Sequence, residues 1–193
     1  MSKNPLSSKE KIIIASIQCF ARYGFESTTF KQIADLAKIT QPALYSHFKD
    51  KVDLLDKCCR YAAQKGQLFI ESYVNPKGNA EARLRDYIRA NLQWFHDQPN
   101  EGRCLLALYY YGHYNSDLNQ LFFDIQNAAV ARIETYISHG SHENKWSDKN
   151  AHEFAKRIHS VVVGELIKSM YEKKSVSVAT HETKIWNFIS KAL

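Results

Sequence analysis

Apolar residues return every three or four positions through most of the chain, and strict alternation of apolar and polar residues is nearly absent. The predicted elements are therefore helices. Ser7-x-x-Glu10 opens the first with a reciprocal cap, Ile13, Ile14, Ile17, Phe20 and Ala21 form its inner stripe, and Tyr23-Gly24 ends it. Thr29-x-x-Gln32 opens a second, with Ile33, Ala34 and Ala37 on its inner side. Thr40 caps a third, where Pro42 is tolerated because first-turn amides have no intrahelical acceptor. Asp50 caps a long fourth helix that reaches about Tyr73 and is broken by Asn75-Pro76-Lys77-Gly78. Further helices are predicted over Ala80 to His96, Arg103 to about Tyr111, Asp117 to about Ser138, Asp148 to Lys173 and Glu182 to Ala192. Loops are expected at Asp97 to Gly102 and His139 to Ser147. The expectation is an all-α chain of about nine helices, three short ones forming an amino-terminal domain ahead of a larger helical body.

Composition narrows the function classes. The 193 residues are 45% apolar and 24% charged, ordinary values for a folded chain. The net charge is +6, and residues 1–51 hold eight Lys/Arg against four Asp/Glu, so the excess sits at the front; such a surface attracts polyanions, but a solvated face is the commoner meaning of scattered lysines, and charge alone does not decide. No segment approaches the ~18 apolar residues of a membrane span, and the first residues lack an apolar signal core, so no membrane partner and a cytoplasmic location are expected. Four irregularly spaced cysteines, Cys19, Cys58, Cys59 and Cys104, read as small buried residues rather than a disulfide framework.

The stretch I-T-Q-P-A-L-Y-S-H-F-K-D-K, residues 39–51, carries the most specific chemistry. Leu44 and Phe48, four apart, share a face suited to pack on Ile33, Ala34, Ala37 and Ile39, which leaves Pro42, Tyr45 and Ser46 on the opposite face. Two short helices with a tight turn, apolar inside and polar or aromatic outside, describe a helix-turn-helix. A recognition helix enters the major groove by its amino-terminal end. There Gln41 can pair with adenine N6 and N7, and Pro42 and Ala43 can meet thymine methyls. Tyr45, His47, Lys51 and the Thr29 cap suit phosphate oxygens, which fix register rather than sequence.

Residues 23–55 resemble the amino-terminal domain of the TetR family of transcriptional regulators, on Tyr23-Gly24-Phe25, Thr28-Thr29, Ile33-Ala34, Ala37, Leu44-Tyr45, Phe48 and Lys51 in order without gaps. The resemblance implies a DNA-binding domain at 1–51 and an effector-binding and dimerisation domain at 52–193. It implies a homodimer on a pseudo-palindromic double-stranded DNA operator, usually repressing, and released by a small-molecule effector. Family DNA contacts fall on Thr29, Lys31, Thr40, Gln41, Pro42, Ala43, Tyr45, Ser46, His47 and Lys51. One residue departs from the pattern: the family's turn usually carries glycine, and here that place is Lys38, which can take a positive φ at some cost.

Aromatic residues accumulate between Cys58 and Phe123, most of them expected in the core. As a group they can line an apolar cavity with a few polar anchors, and Tyr61, Asn91, Trp94, Tyr110, His113 and Phe122 are the candidate effector residues. Toward the end, Phe154, Ile158, Val162 and Leu166, then Ile185, Trp186 and Ile189, make two helices more apolar than one packing partner needs. They suit either an internal hairpin or a dimeric bundle, and the resemblance favours the dimer.

No cofactor or metal is expected. His139, His142 and Glu143 have loose ligand chemistry without a fourth donor. An all-α enzyme is the alternative class, but no nucleophile motif, phosphate loop or paired-carboxylate signature supports it. The other alternative is an architectural DNA binder with no effector.

Overall fold

The computed structural model describes residues 6–143, 146, 150–171 and 177–191. Among them lie nine α-helices and no strand: α1 Ser8–Tyr23, α2 Phe30–Ala37, α3 Gln41–Tyr45, α4 Lys51–Tyr73, α5 Ala80–Asp97, α6 Pro99–Tyr111, α7 Ser116–His142, α8 Ala151–Ser169 and α9 Val178–Ile189. The all-α expectation and the helix count are met. The chain divides into two compact units, the first comprising Met1–Lys65 and Asn100–Phe122, the second Gly66–Pro99 and Phe123–Leu193.

In the first unit the helix starts follow their caps. Ser7 and Glu10 exchange hydrogen bonds in a closed capping box, and Thr29 and Gln32 do the same for α2. Gly24 ends α1 at φ 80° and ψ 159°, a backbone region essentially restricted to glycine, so a side chain there is strained. Ile12, Ile17, Ile33, Leu44, Leu54 and Leu55 are among the fully buried residues that hold this unit together. Asp50 caps α4 as expected, its Oδ1 accepting from the Val52 and Asp53 amides at 2.9 and 2.8 Å.

The second unit has its own core, built from Leu84, Tyr87 and Ile88 of α5, Ile133 and Ile137 of α7, and the inner faces of α8 and α9. A buried carboxylate crosses it. Glu182 is 1% exposed and accepts from Arg85 Nε at 2.8 Å and from Arg89 Nη2 at 3.4 Å, while the Arg85 guanidinium lies 5.3 Å from the Trp186 ring centroid.

Several boundaries differ from expectation. α6 begins at Pro99 rather than Arg103, because proline is well suited to a first turn and Gly102 is accommodated in the buried face. α7 runs on through His142, so the loop expected from His139 is helical there; His139 Nδ1 lies 2.8 Å from Arg83 Nη1, and Glu143 accepts from the Ala80 amide at 3.2 Å. α9 starts at Val178, capped by Ser177, whose hydroxyl accepts from the Thr180 amide. The expected start of α8 at Asp148, its end at Lys173 and the end of α9 at Ala192 lie outside the described residues.

Candidate nucleic-acid interface

The helix pair α2–α3 is assembled by local rules. Lys38 follows the last turn of α2 in the left-handed region, φ 56° and ψ 48°, and its amide and that of Ile39 close hydrogen bonds back onto α2. A lysine thus performs the reversal for which glycine is the easier residue, and the turn is kept. Thr40 is extended and its hydroxyl accepts from the Ala43 amide at 3.4 Å, so α3 starts where the threonine placed it.

Packing then decides which face looks outward. Leu44 and Phe48 are 0% and 1% exposed and anchor α3, a burial that contributes roughly 2 kcal/mol per side chain. Gln41, Pro42, Ser46 and His47 are exposed, and Ala43 is half-buried. Tyr45 is 58% exposed, its ring held 4.8 Å from that of buried Phe30, which fixes the direction of the hydroxyl without covering it. The Ser46 hydroxyl donates to the Ala43 carbonyl at 2.8 Å. At the start of α2, Thr29 spends its hydroxyl on the capping box, and Lys31 is exposed one residue inside the first turn. The exposed amino-terminal end of an eight-residue helix has amides directed outward, a favourable place for a phosphate oxygen.

Lys51 has a second occupation that local sequence does not show. Its ammonium donates to the Glu26 and Thr28 carbonyls at 2.8 and 3.2 Å and sits 4.8 Å from the Phe25 ring centroid. Phe25 in turn touches Phe20 and Tyr111, with ring centroids 5.4 and 4.6 Å away. Two of the three ammonium protons are therefore committed to the loop that leads into α2. The sequence offered no signal for this, because the bonded carbonyls lie 25 and 23 residues away.

The remaining candidate residues are spread over both units. In the first, Tyr61 and Phe122 are half-buried, the latter edge-on to Tyr109 at 4.9 Å, whereas Tyr110 and His113 are exposed. Tyr110 is 61% exposed and lies against Tyr114. In the second, Trp94 is buried against Gly66, where an added Cβ would meet the indole at 3.3 Å, and Asn91 donates to the Tyr87 carbonyl at 2.8 Å. Of the candidate dimerisation residues, Ile158, Val162, Leu166, Ile185 and Ile189 are at most 3% exposed within the chain's own core, with Phe154 and Trp186 packed at its edge. The large apolar side chain that α9 leaves outside is Phe188, 67% exposed. Among the described residues no group of three His, Cys, Asp or Glu is placed to hold a metal ion, and no helix is long and apolar enough to cross a membrane.

Comparison with known proteins agrees with this geometry. Residues 12–58 match the family model "Bacterial regulatory proteins, tetR family". The chain is 26% identical over 114 residues to the probable acrEF/envCD operon repressor of Escherichia coli (strain K12), a match covering 58% of this chain and 52% of that protein. It is 47% identical over 53 residues to the uncharacterized HTH-type transcriptional regulator YerO of Bacillus subtilis (strain 168), covering 28% and 18%. The chain thus spans about half the length, or less, of these relatives. A solved putative transcriptional regulator from Saccharomonospora viridis, in complex with choline, superposes with a TM-score of 0.85 at 20% identity, covering 94% of this chain and 95% of that one, a likeness of fold. The amino-terminal quarter of the chain, residues 12–58, is thus similar to the domain of the bacterial regulatory proteins of the tetR family.

Proposed function

We propose that this protein is a DNA-binding transcriptional regulator that acts as a homodimeric repressor and leaves a pseudo-palindromic operator when a small, mostly apolar or aromatic molecule binds. The observation that carries the reading is the α2–α3 pair itself: a capped, left-handed turn and two buried anchors, Leu44 and Phe48, hold Gln41, Pro42, Tyr45, Ser46 and His47 on an exposed face. Gln41, Pro42 and Ala43 take the base edges, and Lys31, Tyr45, His47 and the start of α2 take phosphates. Thr29 and Thr40 act mainly by shaping the two helix starts.

A dimer places two such helices one DNA turn apart, about 34 to 36 Å. With the candidate α8 and α9 residues largely turned into their own core, self-association uses the outer face of α9 around Phe188. Small-molecule binding is assigned within a unit: the candidates are Asn91 and Trp94 in the second, and Tyr61, Tyr110, His113 and Phe122 in the first. The choline bound by the Saccharomonospora viridis protein supports a small-molecule role for this chain.

Selection of bound duplexes from a random pool, followed by footprinting, tests the core of the reading. The expected product is a palindrome with half-sites one turn apart, and binding without sequence preference would replace a repressor with an architectural protein. Phe188→Asp is expected to give monomers in sedimentation and to lose the two-half-site footprint. For the effector, emission is followed in a Trp146→Phe/Trp186→Phe double variant so that Trp94 alone reports. Compounds that quench it are expected to weaken operator binding, and a set of quenchers that all leave affinity unchanged would remove the effector from the mechanism.

A further inference from the structure

Two of the four cysteines meet in the core of the first unit, and a third is buried beside them. Cys59 on α4 and Cys104 on α6 have their Sγ atoms 3.7 Å apart, and Cys59 Sγ also lies 3.4 Å from the Cys104 carbonyl oxygen. Cys58, one residue earlier, points elsewhere and its Sγ approaches the Ile13 carbonyl on α1 at 3.7 Å. Helix phase therefore selects Cys59 over Cys58 as the partner of Cys104, and all three are at most 2% exposed.

The two helices that carry this pair end on the same loop. Two turns before Cys59, α4 begins with Lys51, whose ammonium holds the Glu26 and Thr28 carbonyls and covers Phe25. Two turns after Cys104, α6 ends with Tyr111, whose ring packs on Phe25 from 4.6 Å. The loop so gripped runs directly into the Thr29 cap of α2.

We propose that Cys59 and Cys104 form a reversible disulfide under a two-electron oxidant, and that closing it weakens DNA binding by shifting the grip of Lys51 and Tyr111 on the loop before α2. The second half rests on the reading of α2–α3 as the DNA interface. With a peroxide, one thiol takes up an oxygen to become a sulfenic acid and one water leaves. The second sulfur then attacks the first, and its proton departs with the sulfenic hydroxyl as a second water, so two thiols are oxidised and one peroxide is reduced. A covalent S–S bond is far shorter than the present separation, and a close-packed core leaves little slack, so closure draws α4 and α6 together. The hydrogen bond with Cys104, and then burial, push the Cys59 thiol well above its ordinary range. The thiol is accordingly protonated at neutral pH, and reaction waits for local opening, which makes the pair a responder to sustained oxidation.

The test uses the full chain treated with diamide, a small uncharged diazene that accepts the two thiol hydrogens and becomes the hydrazine. Free thiols are then alkylated, and the digest is read by mass spectrometry. The expected result is a Cys59–Cys104 linked peptide, reversed by dithiothreitol, together with about tenfold weaker binding to the selected duplex. Cys59→Ala and Cys104→Ala, checked for folding by thermal melting, are expected to lose both the link and the diamide effect, and Cys19→Ala to keep both. A folded chain that yields no such link while its urea-unfolded form oxidises overturns the site, as does a Cys58–Cys104 link. A link that leaves affinity unchanged overturns the regulatory half. A reduced chain that binds no duplex sinks the DNA-binding reading, and the linked peptide still reports on the thiol pair.

Discussion

On the outer face of residues 29–47, Lys31, Gln41, Tyr45 and His47 stand in solvent over the buried Leu44 and Phe48, whereas in the second unit it is polar groups, Glu182 and His181, that are buried. The interior polar groups answer one another within the chain: Glu182 has Arg85 and Arg89, and His159 has Gln126 on its Nε2 side. Glu182, paired twice, specifies which helices pack together and has little left to offer a ligand. The exposed groups of α2 and α3 are held in direction by a rigid support and directed away from the chain, which is what the proposed DNA-reading role requires.

The contrast can be broken first in the interior. Burial holds the His159 imidazole down at about 4, below the ~6.5 of an unfolded chain, so the unfolded state binds the extra proton between those values. The stability this residue contributes is present above pH ~6.5 and is lost as pH falls toward 4, with a span of about 2 to 3 kcal/mol. Urea titrations at neutral and acid pH are expected to show that loss in the native chain and a smaller one in His159→Leu. Equal losses would mean the imidazole is not shielded.

Lys51 sits on the boundary of the contrast, a surface cation with interior duties. Lys51→Ala is expected to remove two charge-assisted hydrogen bonds and about 1.5 to 3 kcal/mol of stability, read as a lower melting temperature, along with DNA affinity. Lys31→Ala is expected to leave melting unchanged and to flatten the salt dependence of binding by roughly one unit. If the Lys51 variant melts normally and alters only the salt slope, its role is that of a phosphate contact and the loop clamp is wrong.

Smaller and sharper is Gln41→Ala, expected to cost ~1 to 3 kcal/mol of discrimination at one operator base pair while binding to random duplex is retained. Equal losses on operator and random duplex would remove Gln41 from base reading. Smallest is Lys38→Gly, expected to gain about 0.5 to 1 kcal/mol of fold stability by relieving the left-handed backbone at φ 56°, as thermal or urea unfolding measures.

The first four helices were legible because their signals are local. Ser7 with Glu10, Thr29 with Gln32, Thr40 and Asp50 each act within three residues, so the spacing that predicts the cap is the spacing that forms it. The outward placement of Pro42, Tyr45 and Ser46 followed from the same short-range pattern once Leu44 and Phe48 were assigned inward. What stayed hidden is long-range. The Lys51 bonds reach 25 and 23 residues back, the Glu182–Arg85 pair spans 97, and the thiol pair spans 45. The α8 and α9 apolar stripes were recognised as packing surfaces, but the choice between their own core and a second chain depends on which helices surround them. A loop was expected at Asp97 to Gly102, although a first-turn proline is equally a helix start.

Lys38 sets two design pressures against each other. A glycine at that turn would make the fold more stable, yet it would delete a positive charge from the exposed edge beside α3 and, if α3 reads DNA as proposed, some of the electrostatic capture that brings a duplex into reach. Selection that scores operator occupancy rather than melting temperature would keep the lysine, leaving the domain short of its stability optimum. A stabilised version of this protein built by the obvious glycine exchange would accordingly be the sturdier molecule and the slower one to find its site.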